Sequence, residues 1–194
     1  MTRINMDRYP DIERYTDEEI CEVIAQETTR IMEFWKYHSN GWAPAEAAEI
    51  LTRSMLDWQV SLARSLKIWL GRELDGELIL AWVNLGSLVE GFLKLFLCVY
   101  YTDYIKEEKA PKKDGELRDV DGLEFEKLRR FSKTVIWKEE DSGWDGWIQL
   151  IQGRRNTIHA YKKREIGSFE EWRADLRIHL KFIRELNSRF PYPD

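Results

Sequence analysis

Cysteine and histidine are scarce in this chain, and their scarcity removes several chemistries at once. The two cysteines, Cys21 and Cys98, stand far apart and without a CxxC spacing. They are expected as buried free thiols in a reducing compartment, with neither a disulfide nor a zinc site. The three histidines, His38, His159 and His179, are equally dispersed. No Cys/His or Asp/Glu cluster has metal-ligand spacing, so no metal and no cofactor is expected. The first ten residues contain no apolar core and do not read as a signal peptide. There is no internal repeat and no convincing strand alternation. What remains is helix.

The 194 residues are 43% hydrophobic and 34% charged, an ordinary globular balance with enough length for a real core. Nine Trp residues point to dense aromatic packing and to an aromatic surface for self-association. Net charge is −5, which argues against indiscriminate nucleic-acid binding, but the charge is unevenly spread. Residues 1–50 carry five basic against eleven acidic side chains, whereas residues 151–190 carry ten basic against five acidic. A phosphate-bearing ligand near the C-terminal third fits this pattern. So does an acidic face complementing a basic one across the fold or a dimer.

In chain order, residues 1–15 read as an arm. Thr16 to Glu19 is a capping box opening a helix that Asn40-Gly41 ends. Pro44 starts a second helix running towards Leu70. A third, from about Glu77 to Lys106, is apolar nearly all round between Leu78 and Tyr101. Asn84, Glu90 and Lys94 near its middle favour the centre of a helical bundle over a membrane span. Gly86 and Gly91 allow a neighbour to approach closely. Residues 107–122 read as a charged, mobile surface loop without core residues. A shorter helix follows from Leu123. Asp141 or Ser142 is placed to cap the next helix, Trp144 to His159. Ser168 to Glu171 is a second capping box, before a last amphipathic helix that Pro191 stops. The expected fold is an all-α bundle of about five to six helices. Its parts would be the arm 1–15, N-terminal helices 16–76 packed on the bundle, and a core at 77–190.

The stretch Arg154-Arg155-Asn156-Thr157-Ile158-His159-Ala160-Tyr161 breaks the local rules. At 100° per residue, Trp144, Trp147, Ile148, Ile151 and Ile158 form one apolar stripe. Arg155 falls inside that stripe, His159 at its edge, Arg154 beside it, and Asn156 points away. Polar groups on a burying face concentrate at functional or strained sites. Imidazole suits proton transfer near neutral pH, and guanidinium grips phosphate oxygens. Together they fit phosphodiester cleavage through the ribose 2′-hydroxyl, with His159 as base and Arg and Asn156 stabilising charge on phosphorus. The competing reading is structural: Glu90, a carboxylate in the apolar central helix, pairs with Arg155 and His159. His38 and His179 read as surface or boundary residues.

The segment Arg154 to Tyr161 resembles the signature of the HEPN superfamily, all-α domains first described as nucleotide-binding. Many of its members resemble metal-independent endoribonucleases. The superfamily pattern is Arg, four to six residues, then His, often with Asn directly after the Arg. Arg154 to His159 has the four-residue spacing, while the Arg-Asn pair is Arg155-Asn156, so both arginines are candidates. The resemblance covers roughly residues 77–190. It implies a cytoplasmic homodimer whose motif helices face each other across a cleft open to RNA. Activity of this kind belongs to bacterial toxin or phage-defence systems, with an antitoxin or regulatory protein as a further partner. Tyr161, Lys162, Lys163 and Arg164 would then contact RNA. A non-catalytic nucleotide-, RNA- or protein-binding module of the same type is the alternative, and no membrane is involved in either.

Overall fold

The most apolar segment of the sequence becomes the axis of the molecule. A computed structural model of the chain describes residues 4, 8–137, 143–159, 161 and 163–192, with the backbone alone at 38–40 and 42. Helix α4, Asp75–Val99, buries Trp82, Leu85, Leu88, Val89, Phe92 and Leu93. Around it pack α2 (Ala45–Arg53), α3 (Leu56–Ser65), α6 (Phe125–Val135), α7 (Trp144–Arg155) and α8 (Phe169–Asn187). Helix α1, Asp17–Trp42, lies against α2, α3 and α8, and a single-turn α5, Tyr101–Tyr104, follows α4. The fold is an all-α helical bundle.

By length and composition α4 could cross a bilayer, yet most of its apolar window is buried inside the bundle. Its three central polar residues are engaged by neighbours. Turned with its oxygen towards Ser65 Oγ (3.0 Å) and the Trp69 indole N–H (3.1 Å), the Asn84 amide donates to Leu62 O (3.1 Å). Glu90 accepts from Lys94 one turn on (3.0 Å), and Lys94 donates to Asp121 O (3.1 Å). The two glycines admit neighbours as expected: Arg155 of α7 packs on Gly86, and Gln59 of α3 on Gly91.

Both predicted capping boxes form. Thr16 N–H donates to Glu19 Oε2 (2.8 Å) and Glu19 N–H to Thr16 Oγ1 (3.2 Å). Ser168 and Glu171 exchange the same bonds at 2.8 and 3.2 Å. The helix count rises because two predicted helices are each divided. The one starting at Pro44 breaks at Ser54-Met55, where the Ser54 hydroxyl donates to Ile50 O (2.7 Å) and Leu56 N–H turns back to Ser54 O (2.9 Å). A serine that bonds its own backbone competes with the helical ladder. The break lets α2 and α3 both reach α4.

Residues 107–122 are not coreless. Ala110 and Val120 are buried, and Lys112–Lys113 (β1) pairs antiparallel with Glu116–Leu117 (β2). Asp114 and Gly115 between them both have positive φ, 53° and 87°, as a two-residue hairpin turn requires. Tyr104 Oη donates to Arg118 O (2.5 Å), and Asp119 holds Arg53 and the Tyr101 hydroxyl. The loop is therefore anchored on both sides. Asp141 and Ser142, expected as a cap, lie outside the described residues.

Acidic and basic segments meet inside this fold. Asp17 of α1 binds Arg173 (3.3 Å) and Arg177 (2.7 Å) of α8, and Arg184 binds Asp11 (2.8 Å) and Glu27 (2.9 Å). Much of the C-terminal basic excess is thus consumed by the N-terminal acidic excess.

The expectation for His179 is corrected: it lies fully buried, ringed by Phe92, Trp147 and Phe182 with centroids 6.0–6.4 Å away. Neither ring nitrogen has a hydrogen-bond partner among the described residues. Burial pushes its pKa down to about 3, so the native imidazole is neutral. An unfolded chain protonates this ring below pH ~6.5. Stability from keeping it neutral is fully present above that value and is lost as pH falls towards the native pKa. Asp175 works in the opposite sense, its raised pKa making stability fall as pH rises from the unfolded value to about 6. His179→Leu, similar in volume and free of polar atoms, is expected to raise stability by about 1–3 kcal/mol at pH 7. It should also move the acid-unfolding midpoint to lower pH, read by circular dichroism. An unchanged acid limb would show that other groups control it.

Candidate functional site

Helix α7 begins after Gly143 (φ 73°) and buries Trp144, Trp147, Ile148, Ile151 and, at its end, Arg154. The chain then tightens into a 3₁₀ turn, Asn156–Ile158, and leaves helical geometry at His159 (φ −84°, ψ 69°). A 3₁₀ turn advances about 120° per residue instead of 100°. That change of pitch overturns the extrapolated stripe. Ile158, expected to be buried, is 47% exposed. His159 stands beyond the helix and not one turn above Arg155 on a shared face.

The two arginines separate into different environments. Arg154 is buried, its guanidinium donating to Glu171 Oε1 (2.9 Å) and Asp175 Oδ2 (3.4 Å) while lying 4.4 Å from the Trp82 ring centroid. Trp147 Nε1 donates to the other Asp175 oxygen (3.0 Å). Burial raises the Asp175 pKa to about 6, against the lowering effect of these two donors. The Arg154 carbonyl accepts from Thr157 Oγ1 (2.6 Å), which fastens the 3₁₀ turn. Arg154 thus joins the end of α7 to α8 and α4.

Arg155 lies on the other side, against α4. Its Nη1 binds Glu90 Oε2 at 2.7 Å, its guanidinium sits 5.4 Å from the Phe125 ring centroid, and its side chain keeps 29% of its surface in solvent. A methyl group at Gly86 would stand 2.8 Å from Arg155 Cβ and 2.9 Å from its Cδ. The first of these atoms is fixed to the backbone and cannot swing aside. Gly86→Val is therefore expected to cost about 1–3 kcal/mol of stability by overpacking. It should also push Arg155 off Glu90, which denaturant melts and a shifted arginine side-chain NMR signal would register. A stability equal to wild type would mean that α4 and α7 are less closely seated.

Glu90 therefore engages one of the two candidate partners, Arg155, and not the histidine. His159 is exposed, and its ring makes no hydrogen bond or ion pair with the described residues. Asn156 is half-buried in the 3₁₀ turn, Tyr161 is fully exposed, and Lys163 and Arg164 are exposed without ion-pair partners among the described residues. Lys162 lies outside the described residues, as does the His38 side chain. Ile158 in the turn adds exposed apolar surface at 47%.

Sequence reading did not single out Asp175, and it read Glu171 as a capping residue and not as a partner of Arg154. Asp175 lies between Trp172 and Leu176 in the burying stripe of α8, the same conflict of local rules that marks Arg155 in α7. Among the described residues no group of three or more His, Cys, Asp or Glu is arranged to hold a metal ion. Both cysteines are free and buried, and burial holds each thiol up at about 12. Comparison with models of protein families, with characterised proteins and with solved structures gives no match to this chain.

Proposed function

We propose that the C-terminal end of α7 is an RNA-cleaving site of the HEPN type, working without a metal ion. One observation carries this reading: an exposed imidazole, His159, unengaged by the described residues, stands four residues after an arginine that a carboxylate orients and solvent still reaches. His159 takes the proton of a ribose 2′-hydroxyl, whose oxygen attacks phosphorus and expels the 5′-oxygen. Arg155 and Asn156 stabilise the charge that builds on the phosphoryl oxygens. The products are a 2′,3′-cyclic phosphate and a 5′-hydroxyl. Tyr161, Lys163 and Arg164 supply a sequence-indifferent grip on the strand.

The same proposal includes a homodimer, since the leaving oxygen needs a proton and a twin subunit brings a second histidine. The exposed Ile158 in the 3₁₀ turn supports such pairing. A toxin or phage-defence role in the cytoplasm, with an antitoxin or regulatory protein as partner, completes it. The test is incubation with RNA in the presence of a chelator. Cleavage that persists and leaves cyclic phosphate ends supports the mechanism; cleavage abolished by chelator removes it.

The second reading is a non-catalytic RNA- or nucleotide-binding module. The 2.7 Å Arg155–Glu90 pair favours it, because a neutralised arginine stabilises less charge on phosphorus. RNA retention that weakens with salt, without cleavage, would select this reading.

A further inference from the structure

Where α4 ends, a cavity of about 200 Å³ opens between that helix, α5 and α6. Its wall includes four aromatic rings, Phe96, Tyr100, Tyr104 and Phe131, and two carboxylates, Asp103 and Glu107. The Phe96 and Tyr100 rings lie 4.9 Å apart, and Tyr104 meets Phe131 at 5.4 Å and 90°, so the second pair forms a corner. Tyr104 is fixed there by its bond to Arg118 O (2.5 Å), and Tyr100 by a bond to Arg189 O.

The charge on the wall of this space is of one sign. Among the described residues no lysine or arginine lines the cavity. Neither Asp103 nor Glu107 makes an ion pair with the described residues, Glu107 only accepting the Lys109 N–H (3.2 Å). Arg189, whose carbonyl touches Tyr100, turns its guanidinium to Glu185 (2.8 Å), Ile136 O (2.9 Å) and the Trp137 ring (4.9 Å). The last turn of α4 contains no basic residue, so the partial negative charge of a helix C-terminus is left uncompensated on its own helix.

From this cavity we infer a second binding site, one that takes an organic ammonium ion, either quaternary or methylated. Aromatic rings attract a cation through their quadrupoles, and their apolar surface suits methyl groups that water solvates poorly. Two carboxylates at the wall supply the countercharge. Drug-sized ligands occupy roughly 300–1,000 Å³, so this smaller space accepts a headgroup and not a whole cofactor. The headgroup is carried either by a free small molecule such as choline or by a methylated lysine side chain. None of the lining residues belongs to the Arg154–Tyr161 segment, and the site stands whether or not that segment cleaves RNA.

The test is calorimetric titration of the full chain at constant ionic strength with tetramethylammonium, choline and 3,3-dimethyl-1-butanol, the uncharged isostere of choline. Saturable millimolar binding of both cations is expected, with the isostere weaker by about tenfold. The paired variant Asp103→Asn, Glu107→Gln should weaken the cations by about fivefold or more and leave the isostere unchanged. Phe96→Leu, with its fold verified by melting, should weaken the cations as well. A peptide containing trimethyllysine that binds more tightly than choline identifies a lysine side chain as the natural source. A peptide no tighter than choline identifies a free ammonium. The proposal is overturned if neither cation saturates, if the isostere binds as well as choline, or if the double amide variant binds the cations undiminished.

Discussion

Arg154→Ala is expected to destabilise the protein by about 3–5 kcal/mol, because it leaves the buried Asp175 carboxylate without its cation. Both side chains are nearly sealed, with 9% and 7% of their surface exposed, so solvent screens little of the interaction. The variant also loses the ring contact with Trp82 and the bond to Glu171. At about 2–4 °C per kcal/mol for a chain of this size, the melting temperature should fall by roughly 6–20 °C.

The pH dependence of that loss identifies its cause. Asp175 in the intact protein already holds its proton up to about pH 6, because burial outweighs its donors. Removing Arg154 raises that pKa further, since a cation that favoured the ionised form is gone. A protonated Asp175 needs no countercharge, so the deficit should be small at pH 5 and largest at pH 8. Adding Asp175→Asn keeps an acceptor for Trp147 Nε1 and removes the stranded charge, and it should recover much of the stability. Melting of Arg154→Ala indistinguishable from wild type at pH 8 would mean that this pair does not hold the end of α7.

The sequence was legible wherever a local rule decides the outcome. Capping boxes at Thr16 and Ser168 form because three-residue spacing alone brings Ser/Thr and Glu into mutual reach. Gly86 and Gly91 mark close approach because only glycine admits another chain there. Two outcomes depended on longer-range choices. Periodicity continued α7 to His159, but Thr157 bonds back to Arg154 O, the turn tightens, and Ile158 and His159 swing outward. Which arginine would be buried was likewise not a matter of spacing: it depended on Asp175 of α8 and Glu90 of α4 lying on opposite sides of α7's last turn. The hairpin at Asp114-Gly115 was missed, although Asp-Gly is a turn dipeptide, because the surrounding charge read as a coreless loop and concealed the buried Ala110 and Val120.

That division of labour between the arginines gives the last prediction its force. His159→Ala is expected to fold as wild type, within about 0.5 kcal/mol, because the ring is exposed and holds nothing among the described residues. Its RNA cleavage should fall by about 10²–10⁴-fold, the usual contribution of a positioned general base. Arg155→Ala is expected to cost about 1 kcal/mol or less of stability, since Glu90 keeps Lys94 at 3.0 Å as a partner. Its loss of cleavage should reach about 10²–10³-fold, that of one donor removed from a charge-stabilising site. Arg154→Ala instead loses activity in step with its fold; cooling should restore both together, whereas acidification should restore the fold alone, because a general base must be unprotonated to act. Single-turnover assays on labelled RNA beside melting curves separate the three variants. Full cleavage by folded His159→Ala would defeat the assigned mechanism, in which this imidazole is the base; His179 could not take over, being sealed among aromatic rings. Unfolding of His159→Ala would return the imidazole to the structural role that its exposed position argues against.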